Sequence, residues 1–380
     1  MKVVALYLPQ FHTIPENDAW WGKGFTEWVN IKKAIPLFEN HHQPRVPLQD
    51  NYYNLADPDI MRWQASIAKE HGVYGFCFYH YWFGGKLLLQ KPVENFLENK
   101  DIDIHFCISW ANEHWTDQWV SEKWNVLIEQ RYGERDEWKV HFDYLLPYFK
   151  DDRYIKIDEK PVFVIYRPHL IDKRAEMLDY WNQLAKQAGF NGMCFVFQRA
   201  EILLDDPGFD FSMFDFAAVY QPGFATGKMI REGLHFRNIR ILKRNILGYL
   251  EKHIKFDSRS ISLPKKQKGP RQDSYDEIWN HILNDIDIFP NIIPTAFTDW
   301  DNTPRRGEKG SVVVGASPDK FEEYFIKLIR KAQSQYKTDL IFIFAWNEWA
   351  EGGYLEPDEL NGFGYLRAIQ KALELTNELP

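Results

Sequence analysis

The sequence predicts an α/β fold, a (β/α)8 TIM barrel with long βα loops and a basic insertion between strands 6 and 7. Eight short apolar runs alternate along most of the chain with amphipathic stretches whose apolar residues recur every three or four positions. Such alternation is typical of parallel βαβ units, and eight units can close into a barrel. A length of 380 residues is ordinary for one barrel, so we expect a single domain over residues 1–380, with the insertion at about 222–274.

The eight runs contain no Asp, Glu, Lys or Arg. A strand that is covered on both faces has this composition, which is why we assign the runs to the barrel. The runs are Val3–Leu8, Val73–Phe78, Ile104–Ser109, Val162–Tyr166, Met193–Gln198, Phe216–Gln221, Ile292–Phe297 and Leu340–Ala345. Candidate helices between them include Pro58–His71, Glu137–Phe149, Lys173–Ala188 and Pro318–Tyr336.

Aromatic and polar residues follow the predicted strands. Because the carboxyl ends of all strands meet at one rim of a barrel, we expect these side chains to line a common cleft. Any one of them could instead be a paired core histidine or a buried tryptophan with its N–H bonded, but eight clusters at equivalent positions favour a cleft. The predicted cleft residues are Tyr7, His12, Trp28, Tyr79, His80, Tyr81, Trp82, Trp110, Asn112, Glu113, Tyr166, Gln198, Tyr220, Trp300, Asp301, Trp346, Asn347 and Tyr354.

Two carboxylates follow the last predicted strand, Glu348 and Glu351, next to two tryptophans and ahead of a Gly-Gly pair. Residues three apart would point to opposite sides of an extended strand, about 10 Å apart, whereas a helical turn brings them to about 5–6 Å. Two carboxylates at that separation can act on one glycosidic bond. A pair of solvated loop acids is the alternative, but indoles at a strand exit are costly to expose and are suited to stacking on sugars.

Composition excludes several classes of protein. Aromatic residues make up 16% of the chain and many adjoin polar residues, which favours an aromatic polar cleft, while the net charge of −8 gives no support to nucleic-acid binding. Cys77, Cys107 and Cys194 lie in separate apolar runs, so we expect reduced structural thiols. The N-terminus resembles a first strand more than a signal peptide, and no apolar stretch reaches the roughly 18 residues that span a bilayer, so we predict a cytoplasmic protein.

Three connections are longer than ordinary barrel loops: Phe11–Asp57, Trp110–Asp136 and Gln221–Ser274. The first has no evident helix, and long loops of this kind are usually functional walls or lids. Within the third, Lys228–Arg271 carries thirteen Lys or Arg against three acids, a net charge of +10. We expect an anionic partner there: an acidic glycan, a lipid diphosphate or an anionic membrane surface. A merely solvated insertion is the alternative.

No internal repeat is apparent beyond the βα alternation. The chain contains no Gly-rich phosphate loop, GxSxG turn or HExxH helix, so the sequence predicts no cofactor. His41 and His42 form an adjacent pair in a loop rich in Pro and Asn, but we expect no metal site there.

Six long segments resemble the WbsX-type proteins of bacterial surface-polysaccharide clusters. Those proteins are related to family 99 glycoside hydrolases, the endo-acting α-mannosidases and α-mannanases. The likeness covers nearly the whole chain apart from the basic stretch Lys228–Arg271. The segments are LPQFHTIPENDAWWGKGFTEW (Leu8–Trp28), HHQPRVP (His41–Pro47), GFCFYHYWFGGKLLLQKP (Gly75–Pro92), SWANEHW (Ser109–Trp115), FTDWDNTPR (Phe297–Arg305) and AWNEWAEGGYLEPD (Ala345–Asp358).

The resemblance implies a barrel that acts on glycans. In family 99, the two glutamates of an N-E-W-x-E motif after the last strand carry the chemistry, and the matching positions are Glu348 and Glu351. Glu348 would remove the proton of a sugar 2-hydroxyl, which attacks its own anomeric carbon; Glu351 would protonate the leaving oxygen and then activate water, with retention. We expect the pKa of the acid, and not that of the base, to be raised by surroundings that Trp346, Trp349 and the glycine turn could supply.

Two departures restrict what the resemblance implies. Ala350 and Gly353 stand where family 99 has His and Thr, so mannose specificity does not carry over, and Trp115–Ser121 lacks the Arg of the usual W-T-R-x-W-D-G. Our hypothesis is a retaining glycoside hydrolase or transglycosidase that acts on a bacterial polysaccharide or oligosaccharide. The alternatives are a glycosyltransferase of lipopolysaccharide or capsule biosynthesis, for which we find no nucleotide-binding half, and a non-catalytic glycan-binding barrel.

Overall fold

A computed structural model describes residues 1–116, 125–200, 210–233, 269–285 and 291–378. Residues 234–268, which form most of the predicted basic insertion, lie outside the described residues, as does the departure from the related motif at 117–121. The described residues contain no helix that is both long enough and apolar enough to cross a bilayer.

The predicted barrel is confirmed. Eight parallel strands pair in the order of a closed ring, with β8 beside β1. The strands are β1 (Lys2–Tyr7), β2 (Val73–Phe83), β3 (His105–Trp110), β4 (Lys160–Ile165), β5 (Cys194–Arg199), β6 (Phe216–Val219), β7 in two segments (Ile292–Ile293 and Thr295–Phe297) and β8 (Leu340–Phe344).

The ring closes through β7, which is interrupted at Pro294 because proline has no N–H to donate to a neighbouring strand. Ile292–Ile293 pairs with β6, and Thr295–Phe297 pairs with β8. The carbonyl of Pro294 still accepts a 2.9 Å bond from the N–H of Phe342, so the ladder to β8 continues across the interruption.

Helices surround the barrel, and short helices, 3-10 turns and short strands occur in its connecting loops. The helices are α1 (Pro15–Trp21), α2 (Trp28–Lys33), α3 (Pro58–Glu70), α4 (Lys91–Glu98), α5 (Arg135–Phe149), α6 (Arg174–Gln187), α7 (Tyr275–Asn284), α8 (Thr303–Arg306), α9 (Pro318–Gln335) and α10 (Gly364–Leu375), and residues 223–233 are also helical. Single 3-10 turns occur at Leu48–Asp50, Pro168–Leu170, Gly307–Lys309 and Trp349–Glu351. Additional short strands are Lys86–Leu88, Trp115–Thr116, Val126–Ile128, Lys156–Ile157, Arg271–Ser274, Ser311–Val314, Asn347–Glu348 and Gly353–Tyr354.

The loop after β1 differs from the expectation of a segment without helices, because it contains α1 and α2. Both helices have only six or seven residues, too few for an apolar period to show in the sequence. Cys77, Cys107 and Cys194 are buried and free, in agreement with the prediction of reduced structural thiols.

Strand β2 extends to Phe83, five residues beyond the predicted end of its apolar run. Because successive side chains of a strand point to opposite faces, the cluster Tyr79–Trp82 is divided between the two faces. His80 and Trp82 contact His141 of α5 and therefore lie on the outer face, between barrel and helix. Tyr79 and Tyr81 point to the interior rim.

Candidate active site

The turn after β8 presents Glu348 and Glu351 at the carboxyl rim of the barrel. Trp349–Glu351 forms one 3-10 turn, which ends at Gly352 with a φ of 71°. A Cβ on Gly352 would lie 2.7 Å from the backbone nitrogen of Asp301, which itself donates a 2.7 Å bond to the carbonyl of Glu351. The glycine therefore allows the segment after β7 to approach the turn closely.

Arg305 of α8 binds both glutamates. Its Nη1 donates to Glu351 Oε1 and its Nη2 to Glu348 Oε1, each at 2.8 Å. Because these are the two terminal nitrogens of one guanidinium, the two acceptor oxygens are less than about 8 Å apart, within the range of paired carboxylates in glycosidases. The sequence suggested that a helical turn brings the two glutamates together, and in the structure that turn is a 3-10 turn.

A third carboxylate completes this group. Glu27, at the start of α2, has its Oε2 3.2 Å from Arg305 Nε and 3.1 Å from Nη2. We call Glu27, Arg305, Glu348 and Glu351 the Arg305 cluster; the side chains of all four are less than 10% exposed. Three buried carboxylates therefore share one guanidinium.

Burial dominates the electrostatics of the two candidate acids. It raises the pKa of Glu348 to about 8, partly opposed by Arg305 and reinforced by the charges of Glu351 and Glu27. Burial also raises the pKa of Glu351, again against the opposing charge of Arg305. The expectation that only one of the two pKa values is raised is therefore wrong, because both carboxyls share the same burial and the same cation.

Aromatic side chains surround the acids on the interior rim. The rings of Tyr79, Tyr166 and Tyr220 form a chain with centroids 6.5 and 6.2 Å apart, and Tyr220 continues to Phe344 at 5.4 Å. The ring of Trp300 also contacts that of Phe344, at a centroid distance of 5.6 Å. Such faces with hydroxyl groups at their edges are suited to sugar rings.

Tyr81 belongs to the same rim. Its hydroxyl accepts a 3.1 Å bond from Gln10, and its ring lies 5.2 Å from Trp115. Burial raises the pKa of Tyr81, and the negative charges of Glu348 and Glu27 add to the increase. Tyr81 is therefore neutral at physiological pH and able to donate a hydrogen bond.

A second buried acid group lies next to the first. Asp301, which is fully buried, accepts from His41 Nε2 at 2.8 Å, Gln43 at 2.6 Å, and both the hydroxyl and N–H of Thr303 at 2.6 and 3.0 Å. We call His41, Gln43, Asp301 and Thr303 the Asp301 cluster. Beside it Arg45 donates to Asp299 at 2.7 Å.

The pKa of Asp301 is lowered, although burial alone raises it, because the charge of Arg45 and the hydrogen bonds from Thr303 and Gln43 outweigh burial. Protein donors occupy both carboxylate oxygens of Asp301, at the position where the sequence predicts a substrate contact. His41 is one of its donors, and the described residues contain no group of three or more His, Cys, Asp or Glu arranged to hold a metal.

Two predicted asparagines tie neighbouring rim segments together. Asn347 bonds both backbone groups of Leu8 through its amide, at 2.8 and 3.0 Å. Asn112 does the same with Arg167, at 2.6 and 2.9 Å. Glu113 remains partly exposed and pairs with Arg167 Nε at 3.2 Å.

Several predicted cleft residues are buried in packing layers and do not reach the acids. Tyr7 donates to Gln64 of α3, Trp110 donates to the carbonyl of Trp82, and Trp28 donates to the carbonyl of Tyr53. Tyr354 stacks on Trp349 at 3.8 Å and donates to Asp358. The predicted residues that lie away from the interior rim are therefore Tyr7, Trp28, His80, Trp82, Trp110, Trp346 and Tyr354. Those that lie on the interior rim are Tyr79, Tyr81, Tyr166, Tyr220, Trp300, Glu348 and Glu351.

Besides Trp346, whose indole N–H is unbonded, two predicted residues have buried polar atoms with no hydrogen-bond partner among the described residues. His12 is buried, and neither of its ring nitrogens is bonded; burial lowers its pKa to about 4, so it is neutral. Gln198 is buried at the end of β5, and both ends of its amide are unbonded. Unpaired buried polar groups are uncommon, so these two positions are suited to receiving hydroxyl groups.

Three residues of this region, Glu27, Arg305 and Glu356, were not predicted from the sequence. Glu356 is buried behind Trp349 and accepts from Gln64, Tyr53 and the indole of Trp349 at 2.6 to 2.8 Å. Burial raises the pKa of Glu356 to about 7. All three residues lie inside the segments that carry the family resemblance, which is the signal that could have pointed to them.

Comparison with known proteins agrees with the resemblance. The family model described as "Glycosyltransferase WbsX" matches residues 3–369. The chain belongs to the WbsX family. Its curated relatives include the proteins named "Uncharacterized protein WxcX" of two Xanthomonas campestris pv. campestris strains, B100 and ATCC 33913, each 34% identical over 98% of this chain. The chain spans about half the length, 49%, of these relatives.

Solved structures with the same fold include glycoside hydrolases. The GH99 endo-α-mannosidase of Bacteroides thetaiotaomicron has a TM-score of 0.56 and 14% identity, and the likeness covers 99% of this chain and 97% of that one. A protein described as "Glycoside hydrolase-like protein" has a TM-score of 0.53 and 11% identity, over 98% and 93% of the two chains. This WbsX-family chain therefore shares the barrel fold of the GH99 enzyme.

Proposed function

We propose that the protein is a retaining glycoside hydrolase, or a transglycosidase built like one, that acts on a bacterial polysaccharide or oligosaccharide. The observation that carries the proposal is the pair of buried glutamates bound to one guanidinium at the carboxyl end of β8. A raised pKa in such a pair lets one carboxyl hold a proton near neutral pH while its partner remains a base. Buried structural acids, by contrast, are usually hydrogen-bonded to several donors.

The proposed first step breaks the glycosidic bond. Glu348 removes the proton of the sugar 2-hydroxyl, and this oxygen attacks the anomeric carbon to form a 1,2-anhydro sugar. Glu351 gives its proton to the departing glycosidic oxygen. The assignment of the two roles follows the family resemblance, and it requires that the proton of the pair reside on Glu351, with Glu348 ionised, when substrate is bound.

The second step returns both glutamates to their starting state. Glu351, now a carboxylate, removes a proton from water, and the resulting hydroxide attacks the anomeric carbon. The bond to the 2-oxygen breaks, and that oxygen takes back the proton from Glu348. Two displacements at one carbon give net retention, and a sugar hydroxyl in place of water would give transglycosylation.

Tyr79, Tyr166 and Tyr220 are proposed as the walls of the subsite that holds the cleaved sugar, because they line the interior rim next to both glutamates. Their phenols are neutral donors, since burial raises the pKa of Tyr79 and Tyr220 and the nearby glutamate charges add to this. Gln198 and His12, with unbonded polar atoms, are proposed as further contacts to sugar hydroxyls.

The test is product analysis by mass spectrometry after incubation with a panel of bacterial polysaccharides, with and without sugar nucleotides. New reducing ends without any donor are expected for the wild type and should fall by about 10²- to 10⁴-fold in Glu351→Gln. Glu374→Gln, which alters an exposed acid of α10, is the matched control. Activity of Glu351→Gln within tenfold of the wild type would contradict the assignment of Glu351 as the general acid.

A glycosyltransferase is the second candidate, favoured by the description of the family model. In the same experiment it predicts that product grows only when a sugar nucleotide or lipid-linked donor is present. Binding of glycans with no product under any of these conditions would instead favour the non-catalytic barrel.

We also propose that the basic stretch Lys228–Arg271 contacts an anionic glycan, lipid diphosphate or membrane surface, on the basis of its net charge of +10. Cosedimentation with anionic vesicles should then weaken as salt concentration increases, because charge contacts are screened. Binding that does not depend on salt would contradict this idea.

A further inference from the structure

Glu27 is a buried carboxylate that two-acid hydrolysis does not require. It belongs to the loop after β1, far along the chain from the other two acids, and it immediately precedes α2. Its side chain is 8% exposed and lies 3.1 Å from Arg305 Nη2. An extra buried negative charge beside two others is unfavourable by itself, so its presence indicates a role at the site.

The geometry shows how Glu27 affects the pair. Nη2 of Arg305 lies between Glu348, at 2.8 Å, and Glu27, at 3.1 Å, while Nη1 serves Glu351. One positive charge is therefore divided among three carboxylates. With all three ionised the cluster would carry a net charge of −2, and in a buried site this excess favours uptake of a proton.

Among the described residues, the other groups that face the pair do not fully balance this charge. Arg306 of α8 adds one cation near Glu351, which would leave a net charge of −1, and the remaining groups are Tyr79 and Tyr81 of β2 and Tyr220 after β6, which are neutral phenols. The charge of Glu27 raises the pKa of both Glu348 and Glu351, in addition to the larger effect of burial.

We propose that Glu27 is a positioning residue, which acts through Arg305 to keep one proton on the Glu348–Glu351 pair at neutral pH. The inference rests on the proposed function, because a retained proton serves catalysis only if one of the pair is the general acid. Arg305 orients both carboxyls, and Glu27 prevents the guanidinium from neutralising them completely.

The test is a titration of the glutamate Cδ carbons by NMR, with full-length protein labelled at that carbon. Signals of the pair are assigned by their loss in Glu348→Gln and Glu351→Gln, and that of Glu356 by its loss in Glu356→Gln. We expect one carboxyl of the pair to titrate well above the ordinary glutamate value of about 4.3. In Glu27→Gln this midpoint should fall by about one pH unit or more, because a like charge has been removed.

Two variants separate charge from packing. Glu39→Gln makes the same chemical change at an exposed position of the same loop and should leave the midpoint of the pair unchanged. Glu27→Asp keeps the charge and should hold the midpoint within about half a unit of the wild type. If Glu27→Gln does not fold, titrations of the wild type and of Glu27→Asp test the proposal. Either a wild-type pair that titrates in the ordinary glutamate range or a large fall of the midpoint in Glu27→Asp overturns it.

The outcomes for the two proposals are distinguishable. An unchanged midpoint in folded Glu27→Gln, with glycan cleavage that still depends on Glu351, overturns this inference and leaves the hydrolase proposal intact. A lowered midpoint in a protein that cleaves no glycan supports the role of Glu27 and counts against the hydrolase. If both hold, the alkaline limb of the pH–kcat profile moves to lower pH in Glu27→Gln by the same amount as the midpoint.

Discussion

The Arg305 cluster and the Asp301 cluster are both buried acid groups, joined directly by the bond from the N–H of Asp301 to the carbonyl of Glu351. In the Asp301 cluster one carboxylate accepts four hydrogen bonds, next to Arg45, and its pKa is lowered. In the Arg305 cluster three carboxylates share one guanidinium, and the pKa of Glu348 and Glu351 is raised. Similar burial is thus accompanied by pKa shifts in opposite directions, and the number of donors and cations for each carboxylate decides the direction.

Glu356 stands between these two cases. It accepts three hydrogen bonds, like a structural acid, but no cation contacts its carboxylate in the described residues, and its pKa is raised to about 7. Neutral donors alone therefore do not offset full burial at this position. The comparison predicts that variants of the Asp301 cluster affect stability, whereas variants of the Arg305 cluster affect activity.

The largest expected effect is on stability, in Asp301→Asn. The amide would place an NH2 group against donors of the Asp301 cluster and leave them unpaired, so the free energy of unfolding should fall by roughly 3–5 kcal/mol. Urea unfolding followed by circular dichroism measures this. Glu351→Gln is the matched comparison and should remain within about 1 kcal/mol of the wild type. A loss below 1 kcal/mol in Asp301→Asn would show that the two clusters do not differ as described.

The next prediction concerns the pH dependence of stability at Glu356. Its pKa is raised in the folded protein, so the contribution of this group to stability is complete below its unfolded value of 4.5 and is lost as pH rises through about 7. Glu356→Gln removes that loss. From pH 4.5 to pH 8 the unfolding free energy of the variant, relative to wild type, should therefore rise by about 3 kcal/mol.

Urea titrations of the wild type and Glu356→Gln at several pH values provide the measurement. A constant difference between the two proteins, caused by the altered hydrogen bonds, does not affect the test. Parallel curves across this range would mean that folding does not raise the pKa of Glu356.

Arg305→Lys should reduce activity more than stability. A lysine ammonium is a point charge and cannot bind Glu348 and Glu351 through two fixed nitrogens, so their relative orientation is lost. We expect kcat/KM on a cleaved glycan to fall by about 10- to 100-fold. Arg330→Lys, on an exposed position of α9, is the control. Unchanged kinetics in Arg305→Lys would mean that Arg305 contributes only its positive charge and does not orient the two carboxyls.

The smallest expected effect is that of Thr303→Val. The hydroxyl of Thr303 donates to Asp301 at 2.6 Å, and its loss should lower the unfolding free energy by about 1.5 kcal/mol with little change in activity. Since a bond to the charged form has been removed, the pKa of Asp301 should also increase. An unchanged pKa of Asp301 in the variant, measured by titration of its carboxyl carbon, would contradict this role of the Thr303 hydroxyl.

Most of the fold could be predicted from the sequence, because buried strands and amphipathic helices leave different periods in it. Helices α1 and α2 were not predicted, since one or two turns are too short to show a period. Nor did the sequence reveal that the strand of Ile292–Phe297 closes the ring on both sides of Pro294.

The candidate site was predicted less completely, for two physical reasons. The cluster Tyr79–Trp82 was assigned wholly to the cleft, although it continues strand β2, and alternation sends His80 and Trp82 outward. Applying the two-residue period beyond the apolar run would have divided it correctly. Glu27 and Arg305 meet across 278 positions of the chain, and no local pattern indicates such a contact.

The short loop that carries Arg305 is closed at its base, where Asn302 and Ser311 bond each other at 2.8 and 3.2 Å. An insertion between Asn302 and Arg305 would move the guanidinium relative to both glutamates. We therefore expect relatives with this site to keep the aspartate and the arginine four positions apart. The resulting motif, D-x-x-x-R, can be searched for together with N-E-W-x-E. Chains that have both spacings are expected to carry the same arrangement of one cation on two acids, whatever the length of sequence between them.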